Sequence, residues 1–583
     1  MPQRMGFPLR FLLLFFLLLS FSSCSKGGGN GSGGGGALLS SNADLAALQL
    51  SNGSLSPAFD AEITDYLAEA GFLLPSVTVT PTVADLTATV TVNGAATSSG
   101  TASSPIALAE GANTILVDVT AEDGSIKHYE VMLTRQGVAA FAQEAYIKGS
   151  DPSISGQFGY SVSLSGDTLV VADPFEGDLR HDGAGAVYVF LRRDGVWTQQ
   201  AVLQNSNSES GDRFGSSVSL SGNTMAVGAT GEDSAATGVD GDQTDNNATG
   251  SGAVYLFTRS GEIWSQRAYL KGSNTDTESS DQFGHSVSLS GDTLAVGAIG
   301  ENSAATGVNG DQTDNSLSGA GAVYVFVRSG ETWSQQAYVK PSNTAFNGQF
   351  GYSVSLSEDT LAVGAALEGT SLTSEAGAVY VFVHNGGVWS EQASLKGSNT
   401  ESGDRFGYSV SLSGDTLAIG AIGEQSAASG INGDQTDNSL STAGAVYVFI
   451  RSDNTWIQQA YLKASNPVFG GRFGYSVSLF SDMLAVGAIG ERSAATGING
   501  DQADTSLADA GAVYVFTRSN GVWSQQAYVK ASNTGFDNKF GHSVSLSEDI
   551  LAAGAIGEDS TATGVNGDQS DGPSPTGAAY AFE

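Results

Sequence analysis

The stretch Phe283–Lys340 contains four short sequence motifs, here called words, that recur together along the chain. They are FGHSVSL (283–289), TLAVGA (293–298), GAVYVF (321–326) and WSQQAYVK (333–340). Within each word apolar residues alternate with small or polar ones, which is the pattern of a β-strand. Four strands repeated at a regular interval are typical of a propeller blade. Seven such units follow one another, and their Phe-Gly pairs begin at Phe158, Phe214, Phe283, Phe350, Phe406, Phe473 and Phe540.

The order of the words predicts how the ring closes. The seventh unit has its first three words, the third of which is Gly577–Phe582, whereas an additional fourth word, Phe141–Lys148, precedes the first unit. Phe141 stands where the other units have Trp. We therefore expect Phe141–Lys148 to form the outer strand of the last blade, a strand-swapped closure that leaves no open sheet edge. The predicted fold is all-β, with a seven-bladed β-propeller over residues 138–583.

The Phe-Gly and Gly-Ala words resemble FG-GAP repeats, the units of the integrin α-subunit propeller and of many bacterial surface proteins. The resemblance implies a propeller and a role in adhesion or ligand binding. Blades of that family often carry an Asp-rich calcium loop between their first two strands. Here this link is only Ser290-Gly291-Asp292 or its equivalent, too short to supply the six to eight oxygens that calcium takes. The calcium site of the family is therefore not carried over.

A second, smaller β-domain is predicted over residues 41–136. Alternating runs such as Thr89–Val92 and Asn113–Val119, with turns at Asn93-Gly94 and Asp123-Gly124, indicate an antiparallel sandwich. The words Leu55–Asp60 and Glu110–Asn113 are similar to those of the cadherin-like β-sandwich of bacterial surface proteins. That resemblance implies a spacer, and we assign this domain no chemistry.

The first 40 residues are interpreted as an export signal followed by a flexible tether. Arg4 and Arg10 form a positively charged start before an eleven-residue apolar run, 11–21, which is short for a membrane-spanning helix. Residues 1–23 resemble a bacterial lipoprotein signal peptide, which implies lipidation of Cys24, and an ordinary secretory signal is the alternative. Residues 24–40 are a Gly-rich tether. We expect a lipid-anchored protein of the bacterial outer membrane, on its cell-surface or periplasmic side.

Composition excludes several partners. The chain has 583 residues, with 24 Lys and Arg against 60 Asp and Glu, and a formal net charge of −36. Nucleic acid and anionic lipid surfaces both require basic clusters, so neither is expected as a partner, and the membrane is reached only through the lipid anchor. The single Cys excludes an internal disulfide framework and a Cys-based zinc site.

Five of the seven links between second and third strands carry an insertion such as Asn309-Gly-Asp-Gln-Thr-Asp314. Oxygen ligands at this spacing suit a hard cation, and Ca²⁺ is the candidate cofactor. The alternative is that these residues only form turns, because Asn-Gly is a strong turn signal and Asp caps its own turn. The candidate metal ligands are Asp242, Asp245, Asp311, Asp314, Asp434, Asp437, Asp501, Asp504, Asp568 and Asp571.

A Glu recurs seven residues after the second-strand Leu or Met in every blade. Symmetry predicts a ring of carboxylates on one face of the propeller, which either attracts a cationic ligand or serves as a repeated structural brace. We expect Tyr324 and Trp333 to pack between blades, and Lys340 and its equivalents to shield the outer edge strand. The seven carboxylates are Glu176, Glu232, Glu301, Glu368, Glu424, Glu491 and Glu558.

No catalytic constellation is found, and His285 and His542 only replace the Tyr of Phe-Gly-Tyr-Ser. The long links between second and third strands and between successive blades share one face, where binding usually sits. We expect a surface binding or adhesion protein for a protein or polysaccharide ligand, with possible calcium assistance. The alternatives are a polysaccharide hydrolase or lyase on a propeller scaffold and a structural component of the envelope.

Overall fold

A computed structural model describes residues 39–151, 153, 156–177, 183–275, 280–369 and 374–583. Every regular element in these ranges is a β-strand. The leader 1–23, Cys24 and most of the tether lie outside the described residues, so the lipoprotein prediction is not addressed by the fold.

Nine strands build the small N-terminal domain. A five-stranded sheet has the order β2-β9-β8-β5-β6, and the pairs β1-β4 and β3-β7 pack against it. Tyr129 is fully buried, and its hydroxyl accepts a hydrogen bond from the backbone N–H of Leu45 at 3.0 Å. The strands are β1 (Leu45–Leu50), β2 (Asp65–Ala70), β3 (Ser76–Val77), β4 (Val79–Val83), β5 (Thr89–Val92), β6 (Ala95–Thr97), β7 (Ile106–Ala107), β8 (Gly111–Thr120) and β9 (Ile126–Arg135).

Twenty-eight further strands form seven antiparallel four-stranded sheets, which confirms the predicted seven blades. Strand β10 (Gln143–Ile147) precedes blade 1, which consists of β11 (Ser161–Ser165), β12 (Thr168–Asp173), β13 (Ala186–Arg193) and β14 (Val196–Leu203). Blades 2 and 3 are β15 (Phe214–Ser221), β16 (Thr224–Ala229), β17 (Ala253–Ser260), β18 (Ile263–Leu270), and β19 (Phe283–Ser290), β20 (Thr293–Ala298), β21 (Ala322–Ser329), β22 (Thr332–Val339).

The remaining blades repeat the same order. Blades 4 and 5 are β23 (Phe350–Ser357), β24 (Thr360–Ala365), β25 (Ala378–Asn385), β26 (Val388–Leu395), and β27 (Phe406–Ser413), β28 (Thr416–Ala421), β29 (Ala445–Ser452), β30 (Thr455–Leu462). Blade 6 is β31 (Phe473–Phe480), β32 (Met483–Ala488), β33 (Ala512–Ser519), β34 (Val522–Val529), and blade 7 begins with β35 (Phe540–Ser547), β36 (Ile550–Ala555), β37 (Ala578–Phe582).

The ring closes as the sequence predicts. Blade 7 has the order β10-β37-β36-β35, so the strand before blade 1 is the outer strand of the last blade. Tyr146 of β10 lies opposite Tyr580 of β37. Phe141, at the position of the Trp in other blades, is buried against Phe582 with ring centroids 6.1 Å apart.

The Phe-Gly word is explained by the close approach of neighbouring blades. Gly284 has φ +89, and its neighbour across the blade interface is Gly228, from the second strand of the preceding blade. A Cβ on Gly228 would lie 2.1 Å from the carbonyl oxygen of Gly284, closer than any side chain permits. The preceding Phe283 is buried in a core shared with Leu256 and Leu270 of blade 2. Each blade therefore completes the core of its neighbour.

Serines tie the innermost strands together. The first strand of a blade is a sheet edge, and its backbone N–H groups need acceptors. The N–H of Leu289 donates to the hydroxyl of Ser219 in the preceding blade at 2.9 Å, and the N–H of Leu356 donates in the same way to Ser288. The alternating serines of the first word therefore replace a strand ladder around the propeller axis.

The small domain packs directly on blade 7. Phe72 contacts Phe141 with ring centroids 5.2 Å apart, and Arg135 donates to the carbonyl oxygen of Phe72 at 3.2 Å while its guanidinium lies over the Phe72 ring. One hydrophobic cluster runs from Tyr129 of the small domain to Phe582 of the propeller. The two domains therefore share a core.

Candidate functional site on the loop face

The two faces of the propeller differ in the length of their links. On one face the first and second strands are joined by two residues, as between Ser290 and Thr293. The other face, here called the loop face, carries the links from second to third strands and from each blade to the next. The first of these links has 23 residues in blade 3, between Ala298 and Ala322, but only 12 in blade 4, between Ala365 and Ala378.

The five insertions fold back onto the outer strand of their own blade. In blade 3 the N–H of Asn309 donates to the carbonyl oxygen of Tyr338 at 2.7 Å, and the Asn309 side chain accepts from the Tyr338 N–H at 3.0 Å. Asn309 has φ 56, a conformation that Asn tolerates well. The Gln312 side chain accepts from Ser273 in the link to the preceding blade. The insertion thus covers the end of an exposed sheet edge.

The Asp residues of the insertions cap their own turns. Asp311 accepts from the N–H and the hydroxyl of Thr313 at 2.9 and 2.7 Å, and Asp314 accepts from the N–H of Ser316. These bonds hold the pKa of the Asp311 carboxyl below its usual range. Local bonds of the same kind engage Asp242, Asp245, Asp434, Asp437, Asp501, Asp504 and Asp568.

The candidate calcium ligands therefore do not converge. Within the described ranges no group of three or more His, Cys, Asp or Glu side chains is placed to hold a metal ion. A calcium site needs six to eight oxygens around one point, and the nine carboxylates with these local bonds point instead into separate turns. The tenth candidate, Asp571, lies near Asp559 and contributes to raising the pKa of that carboxyl. The arrangement does not fit the predicted Ca²⁺ site, and no step of the function below depends on it.

The recurrent Glu lies in a buried network on the loop face. In blade 3 Glu301 is 1% exposed and accepts from the ammonium of Lys340 at 2.8 Å, the hydroxyl of Tyr338 at 2.7 Å and the amide of Asn274 at 3.1 Å. The oxygen of Asn274 in turn accepts from the hydroxyl of Tyr324. The carboxylate is therefore neutralised by a lysine of its own blade.

Six blades contain this ion pair. The expectation that Lys340 and its equivalents shield the outer edge is wrong, because burial of a lysine next to a carboxylate satisfies both charges inside the blade. Lys340 is fully buried, and burial lowers the pKa of its ammonium, an effect that Glu301 opposes. The pairs are Lys148–Glu558 at 2.6 Å, Lys271–Glu232 at 2.8 Å, Lys340–Glu301 at 2.8 Å, Lys396–Glu368 at 3.2 Å, Lys463–Glu424 at 2.6 Å and Lys530–Glu491 at 2.6 Å.

Blade 1 departs from this arrangement. Glu176 accepts from the hydroxyl of Tyr188, but Gln204 stands where the other blades have Lys. Burial raises the pKa of the Glu176 carboxyl to about 7. The departure is visible in the sequence, since Gln204 interrupts an otherwise regular series of lysines.

Aromatic side chains form a collar around the inner end of the loop face. They occupy the position after Phe-Gly in six blades, and neighbouring ring centroids are 5.0 to 5.2 Å apart. Ser216 occupies this position in blade 2 and interrupts the collar. Burial lowers the pKa of both His members to about 4, so they are neutral. The collar consists of Tyr160, His285, Tyr352, Tyr408, Tyr475 and His542.

Three phenylalanines project from the links between blades. Phe346, Phe469 and Phe536 each precede a Phe-Gly pair by four residues, and their side chains are 72, 67 and 70% exposed. Blades 2 and 5 have Ser210 and Ser402 at the same position. Nothing in the fold requires an aromatic residue at this position. These three side chains were not among the candidates predicted from the sequence, although their recurrence at one position of the repeat is visible there.

The described histidines outside the collar have structural neighbours. His384 packs on Trp389 and faces Asp359, and His128 contacts Asp118. Tyr324 and Trp333 lie in the core between blades 2 and 3, as expected. His181 lies outside the described residues.

Comparison with known families agrees with this geometry. The model of the FG-GAP repeat matches seven segments that together exceed half of the chain: 141–190, 197–257, 264–326, 333–382, 389–449, 456–516 and 523–582. The model of the cadherin-like β-sandwich domain matches residues 45–136.

An individual relative that matches by sequence covers only a small part of the chain. A protein of Evansella cellulosilytica with the provisional name of membrane protein is 44% identical over 104 residues, which are 18% of this chain and 16% of that protein. None of the described residues forms a helix long and apolar enough to cross a membrane.

Two solved structures share only a distant likeness. The periplasmic gluconolactonase of Pseudomonas aeruginosa has a TM-score of 0.37 at 14% identity, over 72% of this chain and 93% of that one. A quinonprotein alcohol dehydrogenase-like protein of Bacteroides thetaiotaomicron has a TM-score of 0.31 at 9% identity, over 79% and 95%. Scores this low support no argument about activity.

Proposed function

The chain belongs to the FG-GAP repeat family, and we propose that it is a binding protein of the bacterial envelope whose loop face receives a protein or polysaccharide ligand. The observation that carries this proposal is the exposure of Phe346, Phe469 and Phe536 on one face of a rigid ring. Exposed aromatic side chains on loops held by a rigid scaffold are typical of interaction surfaces.

The chemistry of the loop face favours binding over catalysis. Six of the seven recurrent carboxylates are neutralised by lysines, so they are not available as an acid and base pair. The collar places partly exposed aromatic rings near the propeller axis, and the phenylalanines add apolar contacts farther along the links between blades. Both protein side chains and sugar rings pack on such surfaces.

We further propose that Cys24 is lipidated and anchors the protein in the outer membrane. The support is the apolar run 11–21, followed by Ser22-Ser23-Cys24 and a Gly-rich tether. Metabolic labelling with a fatty acid analogue should label the wild-type chain and not the Cys24→Ser variant. Labelling of both chains would contradict the anchor.

The binding proposal is tested with two matched triple variants of the chain from Ser25 onward. The loop-face variant is Phe346→Ser, Phe469→Ser and Phe536→Ser, which copies the residue found in blades 2 and 5 and should not disturb folding. The control variant is Val196→Ser, Ile263→Ser and Val522→Ser. These three side chains are 61, 71 and 68% exposed and start fourth strands at the opposite face.

Each protein is applied to a glycan array and to an array of envelope and extracellular matrix proteins. We expect one ligand class to bind the wild type and the control variant equally, and the loop-face variant at least about tenfold more weakly, since buried aromatic contacts dominate interface energies. Equal binding by all three proteins, or loss in the control variant alone, would contradict the assignment of the loop face.

A further inference from the structure

The six ion pairs define what the loop-face Glu binds. In blade 3 the Lys340 ammonium donates to Glu301 at 2.8 Å and to the carbonyl oxygen of Gly321 at 2.7 Å. In blade 2 the Lys271 ammonium donates to Glu232 at 2.8 Å and to the hydroxyl of Ser251 at 2.6 Å. Each site is therefore a pocket of oxygen acceptors for one primary ammonium group.

Blade 1 keeps the backbone of this pocket. The N–H of Gly185 donates to the carbonyl oxygen of Glu176 at 2.9 Å, as the N–H of Gly321 does to Glu301 at 2.9 Å. Tyr188, the equivalent of Tyr324, donates directly to the Glu176 carboxylate, whereas Val202 stands in blade 1 where Tyr338 donates to Glu301 in blade 3. The backbone that carries the carboxylate is thus held in blade 1 as in blade 3, and a tyrosine hydroxyl still bonds the carboxylate, although from the third strand instead of the fourth.

The side chains that fill the pocket elsewhere are replaced in blade 1. Leu203 pairs with Val187 as Val339 pairs with Val323, so the next residue, Gln204, occupies the place of Lys340. Gln204 is exposed to solvent instead of reaching inward.

A second replacement adds a negative charge. Gln199 donates to Ser150 at 2.9 Å as Gln335 donates to Ser273 at 2.9 Å. The residue after Ser150, Asp151, therefore occupies the position of Asn274. Glu, Lys and Asn in blade 3 sum to a formal charge of zero, whereas Glu176, Gln204 and Asp151 sum to −2.

A cavity of about 570 Å³ lies between these groups, and here it is called the blade 1 pocket. Asp151, Ser153, Glu176 and Gln204 line it. The Ser153 hydroxyl oxygen is buried and has no hydrogen-bond partner among the described residues. A pocket of this size matches the sites of small ligands, and it brings together two carboxylates and a free hydroxyl.

We propose that the blade 1 pocket binds the primary ammonium group of a small external amine, in the position that a lysine ammonium occupies in the other six blades. The other blades are the internal template, because the same carboxylate there accepts from a primary ammonium. A free alkylamine and an amino sugar offer the same group, and the experiment distinguishes them. The inference deepens the proposed function by naming one ligand group on the loop face.

The test is a calorimetric titration of the chain from Ser25 onward with n-butylamine, N-acetyl-butylamine and glucosamine. We expect one saturable site for n-butylamine and none for the acetylated, uncharged compound. Glucosamine bound more tightly than n-butylamine would assign the ammonium to a sugar, and the reverse order would assign it to a free amine. No heat with either amine would overturn the proposal.

Variants locate the site. Gln204→Lys converts blade 1 to the form of the other blades and should reduce amine affinity about tenfold or more, since it places the chain's own ammonium beside Glu176. Glu176→Gln should do the same by removing the acceptor charge. Thermal melts verify that both variants fold. Unchanged affinity in both would overturn the assignment to blade 1.

Two further variants complete the test. Lys396→Gln with Asn343→Asp transfers the blade 1 residues to blade 4, where Lys396 is 45% exposed, and should add a second site. The Arg180→Ala variant tests whether the guanidinium of Arg180, a residue outside the described ranges, already neutralises the carboxylates of the blade 1 pocket. Amine binding that appears only in Arg180→Ala would overturn the proposal. These titrations need no macromolecular ligand, so their failure is separate from failure of the proposed function.

Discussion

Six blades pair one lysine with one glutamate, and in five of them the lysine is fully buried, which has an energetic cost. Moving both charges out of water is expensive, and their attraction compensates only if the remaining polar atoms are also bonded. Tyr461 and Asn399 provide these bonds to Glu424 at 2.7 and 3.0 Å. Both carboxylate oxygens of Glu424 are bonded, since Lys463 donates to the second one, so loss of Lys463 leaves an uncompensated buried charge.

Lys463→Met should therefore destabilise the protein by about 3–5 kcal/mol, the range for breaking a buried pair. Lys463 is fully buried, and its ammonium lies 2.6 Å from Glu424. Urea unfolding measures the change. Gln204→Met at the matching position of blade 1 is the control and should stay within about 0.5 kcal/mol of wild type, as a surface change. Similar effects of the two substitutions would refute the account of the network.

Asp404 gives the stability a predictable pH dependence. It is 3% exposed, and burial raises the pKa of its carboxyl to about 7. An unfolded Asp releases its proton near pH 3.9, so between about pH 4 and 7 the folded state binds more protons than the unfolded state. Stability therefore falls as pH rises through this window, and the loss is complete above it.

Asp404→Asn removes this penalty and keeps an oxygen to accept from the Glu401 N–H. The variant should be more stable than wild type at pH 8, by an amount on the order of 2 kcal/mol, and equal to it near pH 4. Chemical unfolding at both pH values measures this. Asp453→Asn, on an exposed turn, is the control and should show no such difference. A variant without a gain at pH 8 would contradict the pKa argument.

The residue scale is also where prediction from sequence was weakest. The recurrence of Glu and Lys in fixed words was visible, but which strand ends meet on the loop face depends on the pairing of second and fourth strands across a blade. Lys340 was therefore placed on the surface, although it pairs with Glu301 inside. The aromatic position after Phe-Gly was visible too, but ring contacts across blades follow only from ring closure.

At the scale of elements, each insertion is hydrogen-bonded to the outer strand of its own blade. Asn309 pairs with the end of β22 at Tyr338, and the equivalent contacts in other blades include Asn432 with Tyr461 and Asn499 with Tyr528. Blades 1 and 4 have the short links, so no insertion covers their outer strands. Val202, on the outer strand of blade 1, is 44% exposed. The insertions therefore serve the outer strand of their own blade through hydrogen bonds.

This account predicts that calcium leaves the stability unchanged. Binding to the native state alone would raise the melting temperature, and the Asp side chains of the insertions are engaged in turns instead. A thermal melt of the chain from Ser25 onward, with and without millimolar calcium, should show a shift within about 1 °C. Magnesium at equal concentration controls for ionic strength. A calcium-specific rise with several sites by calorimetry would restore the metal hypothesis for these loops.

Strand patterns were predicted well at this scale. Words such as FGHSVSL specify both an alternating strand and the glycine that permits blade contact, so their boundaries agree with β19 and β20. The insertion was harder to interpret, because Asn-Gly-Asp patterns suit both cation ligands and turns. Only the direction in which Asp311 and Asp314 point separates the two interpretations.

At the scale of the whole molecule, the fold followed from counting words. Seven first words, six fourth words and one displaced copy leave a single way to complete every blade, and β10 completes blade 7. The contact of the small domain with the propeller was not predictable, since a spacer was expected. Phe72 and Phe141 form part of one core, so the small domain presents the propeller in a fixed orientation.

The central claim, that the loop face is the binding face, is tested most directly by site-specific photocrosslinking. Benzoylphenylalanine replaces Phe346, Phe469 or Phe536 singly, and in matched proteins Val196, Ile263 or Val522. Each protein is incubated with envelope and extracellular material, irradiated and examined by mass spectrometry. We predict that the three loop-face positions crosslink to a common ligand and that the opposite face does not. Crosslinks from the opposite face alone, or equally from both faces, would contradict the claim.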